Sequence, residues 1–229
     1  MQKSRLTILL LTFCFISSNS ISAQDWANLK VFKDRNSTLE APKVNESRVV
    51  FMGNSITQAW SRISPEFMNN PLHINRGISG QTTPQMLVRF RADVVALQPK
   101  AVIILAGTND IAGNKGPSTL EMISDNIQSM AEIADANGIK VILASVLPAY
   151  DYPWKPGLEP AEKIVKLNAM IKSYCEAKGH VYLDFFSAMA DNRNGLKADL
   201  GKDGVHPNKK GYDIMEPLAL EAIKKAINK

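Results

Sequence analysis

A serine, an aspartate and a histidine that together could perform acyl transfer stand next to predicted strands and helices. Ser55 follows a short apolar run, and Asp203 and His206 lie three residues apart, so that one loop can carry both. A serine hydroxyl becomes a nucleophile when a histidine accepts its proton and a carboxylate orients that histidine. These residue types are those of an acyl-transfer site, although Ser55 followed by Gln58 also fits the capping box of a helix.

His206 is the histidine that the sequence favours for this chemistry. The chain has three histidines; His73 lies inside a predicted strand, His180 follows Gly179, and neither has a carboxylate at a useful spacing. A phosphoesterase with two metal ions is an alternative, but it needs more His and Asp ligands than this chain groups together. Cys175 has no histidine or basic cluster nearby, which predicts a buried, inert thiol.

Further polar residues follow the predicted strands in the segments 53–57, 75–80 and 107–110. In open parallel sheets, ligands bind beyond the carboxyl ends of the strands, so these segments predict a site at that edge. Their glycines could instead only permit left-handed turns, and their Asn and Asp residues could only close turns. Arg76 and Arg89 could bind a carboxylate or phosphate, or form surface salt bridges.

Short hydrophobic runs alternate with longer segments of helical periodicity along the chain. Strands are predicted at residues 48–52, 72–75, 101–106, 140–146 and 181–185. Helices are predicted at residues 83–97, 119–137, 161–177 and from about 210 onward, the second with a capping box of Ser118 and Glu121 at its start and Asn137 and Gly138 at its end. This alternation predicts a three-layer α/β/α (flavodoxin-like) domain with a roughly five-stranded parallel sheet.

The first 23 residues have the pattern of a secretory signal peptide. Lys3 and Arg5 precede an apolar run at residues 6–16, which is too short for a membrane-spanning helix, and small polar residues lead to Ala23. We therefore expect a secreted or periplasmic protein with one domain at residues 24–229 and no stable membrane anchor. With 27 basic and 22 acidic residues and no basic run, a nucleic-acid partner is not expected. The sequence assigns neither an oligomeric state nor a role to residues 24–47.

Four segments resemble, in their order and their residues, the sequence blocks of the GDSL-type, or SGNH, esterases and lipases. These segments are residues 53–57, 75–80, 107–110 and 203–207. The resemblance covers most of the chain beyond the predicted signal and implies the SGNH hydrolase fold. One departure is Asn54, because the family usually has Asp before the serine. An amide keeps the size of a carboxylate and much of its hydrogen bonding, so we expect activity to persist.

The same resemblance implies roles for individual residues. It makes Ser55, Asp203 and His206 the catalytic residues of an ester hydrolase that works through an acyl-enzyme. It also nominates the backbone N–H groups of Ser55 and Gly80 and the side-chain amide of Asn109 as the donors of an oxyanion hole. We expect Gly80 to be glycine because a side chain there would crowd the oxyanion. No metal ion and no organic cofactor is implied.

A proline-broken aromatic loop at residues 149–160 is expected to line the site. Its Tyr150, Tyr152 and Trp154 could stack against sugar rings, or they could pack the loop onto the domain. The resemblance implies a small-molecule or carbohydrate ester as substrate, and acetyl esters of carbohydrates are favoured. A lysophospholipase or thioesterase-like acylhydrolase is the alternative. Because Asn54 departs from the family's usual Asp, a carbohydrate-binding protein that has lost catalysis is a further alternative.

Overall fold

Residues 25–228 are described by a computed structural model in which five parallel strands form the central sheet. The strands are β1 (Val49–Gly53), β2 (His73–Gly77), β3 (Ala101–Leu105), β4 (Lys140–Ala144) and β5 (Val181–Leu183). Their order in the sheet is β2-β1-β3-β4-β5. The predicted parallel α/β fold is confirmed, with strand ends within two residues of the predicted ones. The predicted signal peptide at residues 1–23 lies outside the described residues.

Helices connect the strands and cover both faces of the sheet. They are α1 (Lys33–Thr38), α2 (Ser55–Ile63), α3 (Pro65–Met68), α4 (Thr83–Asp93), α5 (Thr108–Ile111), α6 (Leu120–Ala136), α7 (Pro160–Lys178), α8 (Phe185–Met189) and α9 (Lys209–Ile227). The helix predicted at residues 83–97 ends earlier, at Asp93, and a 3₁₀ turn follows at Val95–Leu97. Within residues 25–228, no helix combines the length and the apolar character that a bilayer span requires.

For helix α6, the structure contradicts the predicted N-terminal cap and confirms the predicted C-terminal end. The capping box predicted for Ser118 and Glu121 is wrong, because the helix is capped one residue later by Thr119, whose hydroxyl accepts a 3.2 Å hydrogen bond from the N–H of Met122. The predicted end is confirmed: Asn137 is the C-cap, and the following glycine takes the left-handed conformation with a φ of 71°.

Two hydrophobic clusters lie on opposite faces of the sheet, because successive side chains of a strand point in opposite directions. In β1, Val50 and Met52 join one cluster with α4, α6 and α7, while Val49 and Phe51 join the other with α2, α8 and α9. Cys175 of α7 is buried in the first cluster, as predicted. Burial on both faces explains why the strands are nearly continuous hydrophobic runs.

The segment before β1, whose role the sequence left open, packs against α4 through buried polar contacts. Asn36 of α1 donates a 2.7 Å hydrogen bond to the carboxylate of Asp93 and accepts hydrogen bonds of 3.0 and 2.7 Å from Arg76. The ring of Phe32 is buried against these groups, with the guanidinium of Arg76 4.8 Å from its centre. This segment therefore covers the polar side of the region where β2 meets α4.

Candidate active site

The predicted polar segments meet at the edge of the sheet where β1, β2 and β3 end. Helix α2 begins directly after β1, and its first turn lies so close to the end of β2 that a Cβ on Gly77 would come within 2.2 Å of the backbone nitrogen of Gln58. Only glycine allows that approach. The start of α2, and with it Ser55, is therefore fixed against two strands.

Ser55, His206 and Asp203 form a continuous hydrogen-bonded chain. The Ser55 Oγ lies 3.0 Å from the Nε2 of His206, and the Nδ1 of His206 lies 2.7 Å from the Oδ2 of Asp203. The other carboxylate oxygen of Asp203 accepts hydrogen bonds from the backbone N–H groups of Val205 (3.0 Å) and His206 (2.8 Å). The side chains of Asp203 and His206 are each 39% exposed. These three hydrogen-bonded residues can thus move a proton from Ser55 to His206 at a surface that substrate can reach.

The carboxylate of Asp203 is held in its charged form. Its partial burial acts to raise its pKa, but the hydrogen bonds from the backbone and side chain of His206 and from the Val205 N–H outweigh burial, so that the pKa lies below its ordinary value. An ionised carboxylate at this position stabilises the imidazolium that His206 becomes when it accepts a proton.

Asn54, not Ser55, caps helix α2. The side-chain oxygen of Asn54 accepts a 3.2 Å hydrogen bond from the N–H of Ile56, so the alternative in which Ser55 and Gln58 form a capping box is wrong. Gln58 instead accepts a 2.7 Å hydrogen bond from the N–H of Ser79. Because an amide oxygen and a carboxylate oxygen can both accept this bond, Asn54 preserves the cap and leaves the Ser55 hydroxyl to His206.

Gly80 and Asn109 lie on the segments that follow β2 and β3. Gly80 has a φ of +74°, and a Cβ there would meet no atom within 4 Å, so its backbone conformation is a sufficient reason for glycine. The side-chain nitrogen of Asn109 donates a 2.9 Å hydrogen bond to the carbonyl of Gln81, and its oxygen accepts one from Asn114. An amide nitrogen carries two hydrogens, so Asn109 keeps one for a ligand.

Asp110, next to Asn109 on α5, clamps that helix to the start of α4. Its Oδ1 accepts hydrogen bonds from the backbone N–H (2.9 Å) and the hydroxyl (2.6 Å) of Thr83. Its Oδ2 is buried without a partner among the described residues. Burial raises the pKa of Asp110 to about 6, although the hydrogen bonds from Thr83 act in the opposite direction.

Arg89 is fully buried, and the surface salt bridge considered for it is wrong. Its guanidinium forms a 2.9 Å ion pair with Asp93 and donates to the carbonyls of Gly53 (3.2 Å) and Arg76 (2.9 Å) and to the side chain of Gln81 (2.6 Å). Arg76 is also buried, at the end of β2. Arg89 thereby ties together the ends of β1 and β2 and the segment that carries Gly80, rather than binding a ligand.

The aromatic loop reaches the site, but its three aromatic residues differ in exposure. Tyr152 is 0% exposed and its ring is stacked on that of Trp154, so it cannot offer a face to a sugar. Trp154 is 43% exposed, and its ring centre lies 5.9 Å from that of His206. Tyr150 is 53% exposed and contacts the guanidinium of Arg193. Of the predicted sugar-binding residues, Trp154 is the exposed one beside the hydrogen-bonded chain.

An open cleft of about 530 Å³ adjoins Ser55 and His206. It is lined by Ser55, Gln58, Ala59, Ser61, Arg62, Ile63, Ser79, His206 and Pro207. Ile63 is the only large aliphatic side chain among them. Among these side chains, those that the sequence analysis had not singled out are Ala59, Ser61, Arg62 and Ile63 of α2.

His73 lies away from this hydrogen-bonded chain, in an aromatic environment. His73 bonds to the carbonyl of Phe67 (3.0 Å) and packs against the rings of Phe51 and Phe67. Burial lowers the pKa of His73, with the hydrogen bond to Phe67 acting against it. In the part of the chain that the structure describes, no three His, Cys, Asp or Glu side chains are grouped to hold a metal ion.

The sequence profile of the GDSL-like lipase/acylhydrolase family matches residues 51–214. Two similar crystal structures are a GDSL-like lipase from Bacteroides thetaiotaomicron (48% identity, TM-score 0.85) and a candidate acylhydrolase from Bacteroides fragilis (46% identity, TM-score 0.87). The first alignment covers 87% of this chain and 98% of that protein, and the second covers 89% and 99%.

A curated relative is the acetylxylan esterase of Xylanibacter ruminicola, which is 23% identical over 224 residues. The alignment covers 82% of this chain and 45% of that esterase. The chain thus spans less than half the length of this esterase. It likewise spans 39% of another curated relative, the lipoprotein YqeF of Bacillus subtilis, to which it is 35% identical over 95 residues.

Proposed function

Since the chain belongs to the GDSL-like lipase/acylhydrolase family, we propose that it is a serine ester hydrolase in which Ser55 is the nucleophile. The observation that carries this proposal is the hydrogen-bonded chain from Ser55 through His206 to Asp203, with spacings of 3.0 and 2.7 Å. His206 accepts the proton of Ser55 as the oxygen attacks the ester carbonyl, and Asp203 holds the imidazole in the required orientation.

The negative charge that develops on the carbonyl oxygen is stabilised by donors at the edge of the sheet. Ser55 is the first residue of α2, so its N–H belongs to the first turn, where N–H groups have no partner within the helix and the dipole favours an anion. Gly80 contributes a backbone N–H, and Asn109 contributes its remaining amide hydrogen. His206 then protonates the leaving alcohol, and water releases the acyl group by the same steps in reverse.

Acetyl esters of carbohydrates are the substrates that we propose. The cleft beside Ser55 offers mostly small or hydrogen-bonding side chains, which suits a sugar better than a long acyl chain, and the exposed ring of Trp154 provides a stacking surface. The similarity to an acetylxylan esterase supports the same class. We also propose that the protein acts outside the cytoplasm, on the basis of the signal-like pattern of residues 1–23.

A series of p-nitrophenyl esters from acetate to long acyl chains tests this proposal. We expect hydrolysis that resists a metal chelator, favours acetate and disappears in Ser55→Ala. The matched control is Ser173→Ala, which changes an exposed serine of α7 far along the chain from the site. Activity that survives in Ser55→Ala, or that the chelator abolishes, would refute the serine mechanism, whereas a preference for long chains would favour the lysophospholipase alternative.

A further inference from the structure

We propose that the surface groove along α2 binds an acidic oligosaccharide, with Arg62 and Arg35 as the residues that meet its carboxylates. The inference rests on the ester hydrolase function proposed above and names the substrate class of the same site. The ester would lie at Ser55, and the rest of the sugar chain would lie along the groove.

The groove consists of two neighbouring clefts. The cleft of about 530 Å³ beside Ser55 and a second cleft of about 330 Å³ share the side chains of Gln58, Ser61 and Ser79. The second cleft is completed by Val31, Phe32, Arg35, Asn75, Gly77 and Ile78. Through these shared side chains the two clefts join into one groove that leads away from Ser55.

Each of the two clefts is lined by one arginine side chain. Arg62 lines the first cleft and Arg35 the second, and neither cleft is lined by Asp or Glu. In the part of the chain that the structure describes, no hydrogen bond or ion pair engages the guanidinium of Arg62. Nearby Lys209, by contrast, is paired with carboxylates. The guanidinium of Arg62 is therefore available to bind an anion.

Positively charged side chains also surround Phe32, which lines the second cleft. Arg35 and Arg76 both lie over the ring of Phe32, with guanidinium carbons 4.9 and 4.8 Å from its centre. Burial lowers the pKa of Arg76 to about 10; Asp93 opposes this effect, and the charges of Arg35 and Arg89 add to it. A carboxylate bound at Arg35 would offset the repulsion among these arginines.

The spacing along α2 suits a sugar chain. Ser55, Ala59 and Arg62 are separated by four and three residues and so share one face of the helix, with Ser55 and Arg62 about 10 Å apart along its axis. Between them, the amide nitrogen of Gln58 and the hydroxyl hydrogen of Ser61 remain to donate to sugar oxygens, because their hydrogen bonds within residues 25–228 use only their oxygen atoms. An esterified sugar and a carboxylate one or two units away can therefore be bound together.

Binding measured by isothermal titration calorimetry tests the proposal without requiring turnover. The probes are a short oligogalacturonate and a neutral xylo-oligosaccharide of the same length. At low ionic strength we expect the acidic probe to bind at least about tenfold more tightly, and this preference should shrink as salt is added. Equal affinity for the two probes would overturn the proposal, as would binding to anionic phospholipid vesicles in preference to the acidic sugar.

Variants then assign the effect to the two arginines. Arg62→Gln and Arg35→Gln should each weaken binding of the acidic probe by about tenfold while leaving the neutral probe unaffected, and Arg62→Lys should restore part of the loss. The matched control is Arg91→Gln, because Arg91 is an exposed arginine of α4 that lines neither cleft. Unchanged binding in both Gln variants, or an equal loss in Arg91→Gln, would contradict the assignment.

Hydrolysis of p-nitrophenyl acetate by the wild type and by Arg91→Gln separates the two proposals. If this ester is hydrolysed but both sugars bind equally, the acidic-substrate inference fails and the ester hydrolase stands. If the acidic probe binds through Arg62 and Arg35 but no ester is hydrolysed, the ester hydrolase function fails and the groove remains a binding site for acidic sugars only.

Discussion

Buried polar side chains surround the position of Ser55, and we call them the floor of the site: Arg89, Asp93, Asn109 and Asp110. His206 and Asp203 instead lie on a loop and are partly exposed to solvent. Beneath Ser55, the guanidinium of Arg89 connects the ends of β1 and β2 through carbonyls 36 and 13 residues away in the sequence. The loop is instead held by local bonds, since Asp203 accepts from two N–H groups within three residues.

Because one half of the site is buried and the other is partly exposed, we expect substitutions in the two halves to affect stability and activity differently. On the floor, the same buried contacts hold the fold together and place the groups that face the ester carbonyl, so a substitution there should lower stability and activity together. On the loop, the bonds are short-range and half exposed, so a substitution there should remove activity and leave the fold nearly intact.

Asp203→Asn should produce the largest change, and it should affect activity alone. We expect kcat to fall by about 10⁴-fold, because an amide cannot stabilise the imidazolium or hold the required tautomer of His206. The free energy of unfolding should change by less than about 1 kcal/mol. Steady-state kinetics and urea denaturation measure the two effects, with Asp199→Asn as a control on an exposed aspartate of the same region. A large loss of stability would erase the contrast between loop and floor.

Arg89→Met should lower the free energy of unfolding by about 3–5 kcal/mol, because it leaves the buried carboxylate of Asp93 without the cation that balances its charge. The double variant Arg89→Met/Asp93→Leu should recover part of that loss. Urea denaturation of both variants provides the measurement, and Arg91→Met on the exposed side of α4 is the control. If the single variant were no less stable than the control, the floor would not depend on this ion pair.

Asn109→Ala should reduce kcat by about 10² to 10³-fold, the usual cost of losing one donor to the oxyanion. It should also cost about 1 kcal/mol of stability, because the hydrogen bond to the carbonyl of Gln81 is lost. Asn114→Ala removes the bond to the Asn109 oxygen and the 3.3 Å bond that Asn114 accepts from the indole N–H of Trp154, and it should reduce kcat by less than tenfold. Equal effects of the two variants would mean that Asn109 acts only through the loop geometry.

Asp110 should make the stability of the protein depend on pH, because burial raises the pKa of its carboxyl group. Its pKa is about 6 in the fold against 3.8 for the free side chain, so between these values the folded protein binds more protons than the unfolded chain. The free energy of unfolding should therefore fall by up to about 3 kcal/mol as pH rises from 4 to 7.

Asp110→Asn keeps an oxygen that can accept from Thr83 but cannot titrate in this range. Relative to the wild type, the variant should therefore gain about 3 kcal/mol of stability between pH 4 and pH 7. Denaturation curves at several pH values measure this difference. Parallel pH profiles for the two proteins would show that Asp110 does not titrate near pH 6.

The strands and the loop half of the site could be predicted from the sequence because they depend on local patterns. Each strand is a short, continuous apolar run, and the three-residue spacing of Asp203 and His206 already allows one loop to present both side chains. The floor depends on tertiary contacts instead. Nothing near Ser55 in the sequence indicates that Gln58 turns toward Ser79 rather than toward the start of α2.

One signal for the floor was present in the sequence and was not used. Arg89 and Asp93 are four residues apart and flank Phe90 on the apolar face of α4, where a charged pair is expected to be buried rather than to form a surface salt bridge. The burial of Tyr152 had no such signal, because aromatic residues in a proline-rich loop can face either the solvent or the core.

The contact between Ser55 and His206 joins residues that are 151 positions apart, and this has a consequence for folding. Contacts at such separation carry a large loop-closure entropy and form only after the intervening elements have assembled. During refolding from denaturant, helical circular dichroism should therefore return before esterase activity does. The lag between the two signals would time the docking of α9, whose Tyr212 hydroxyl bonds to the carbonyl of Ile56, onto the helix that carries the nucleophile.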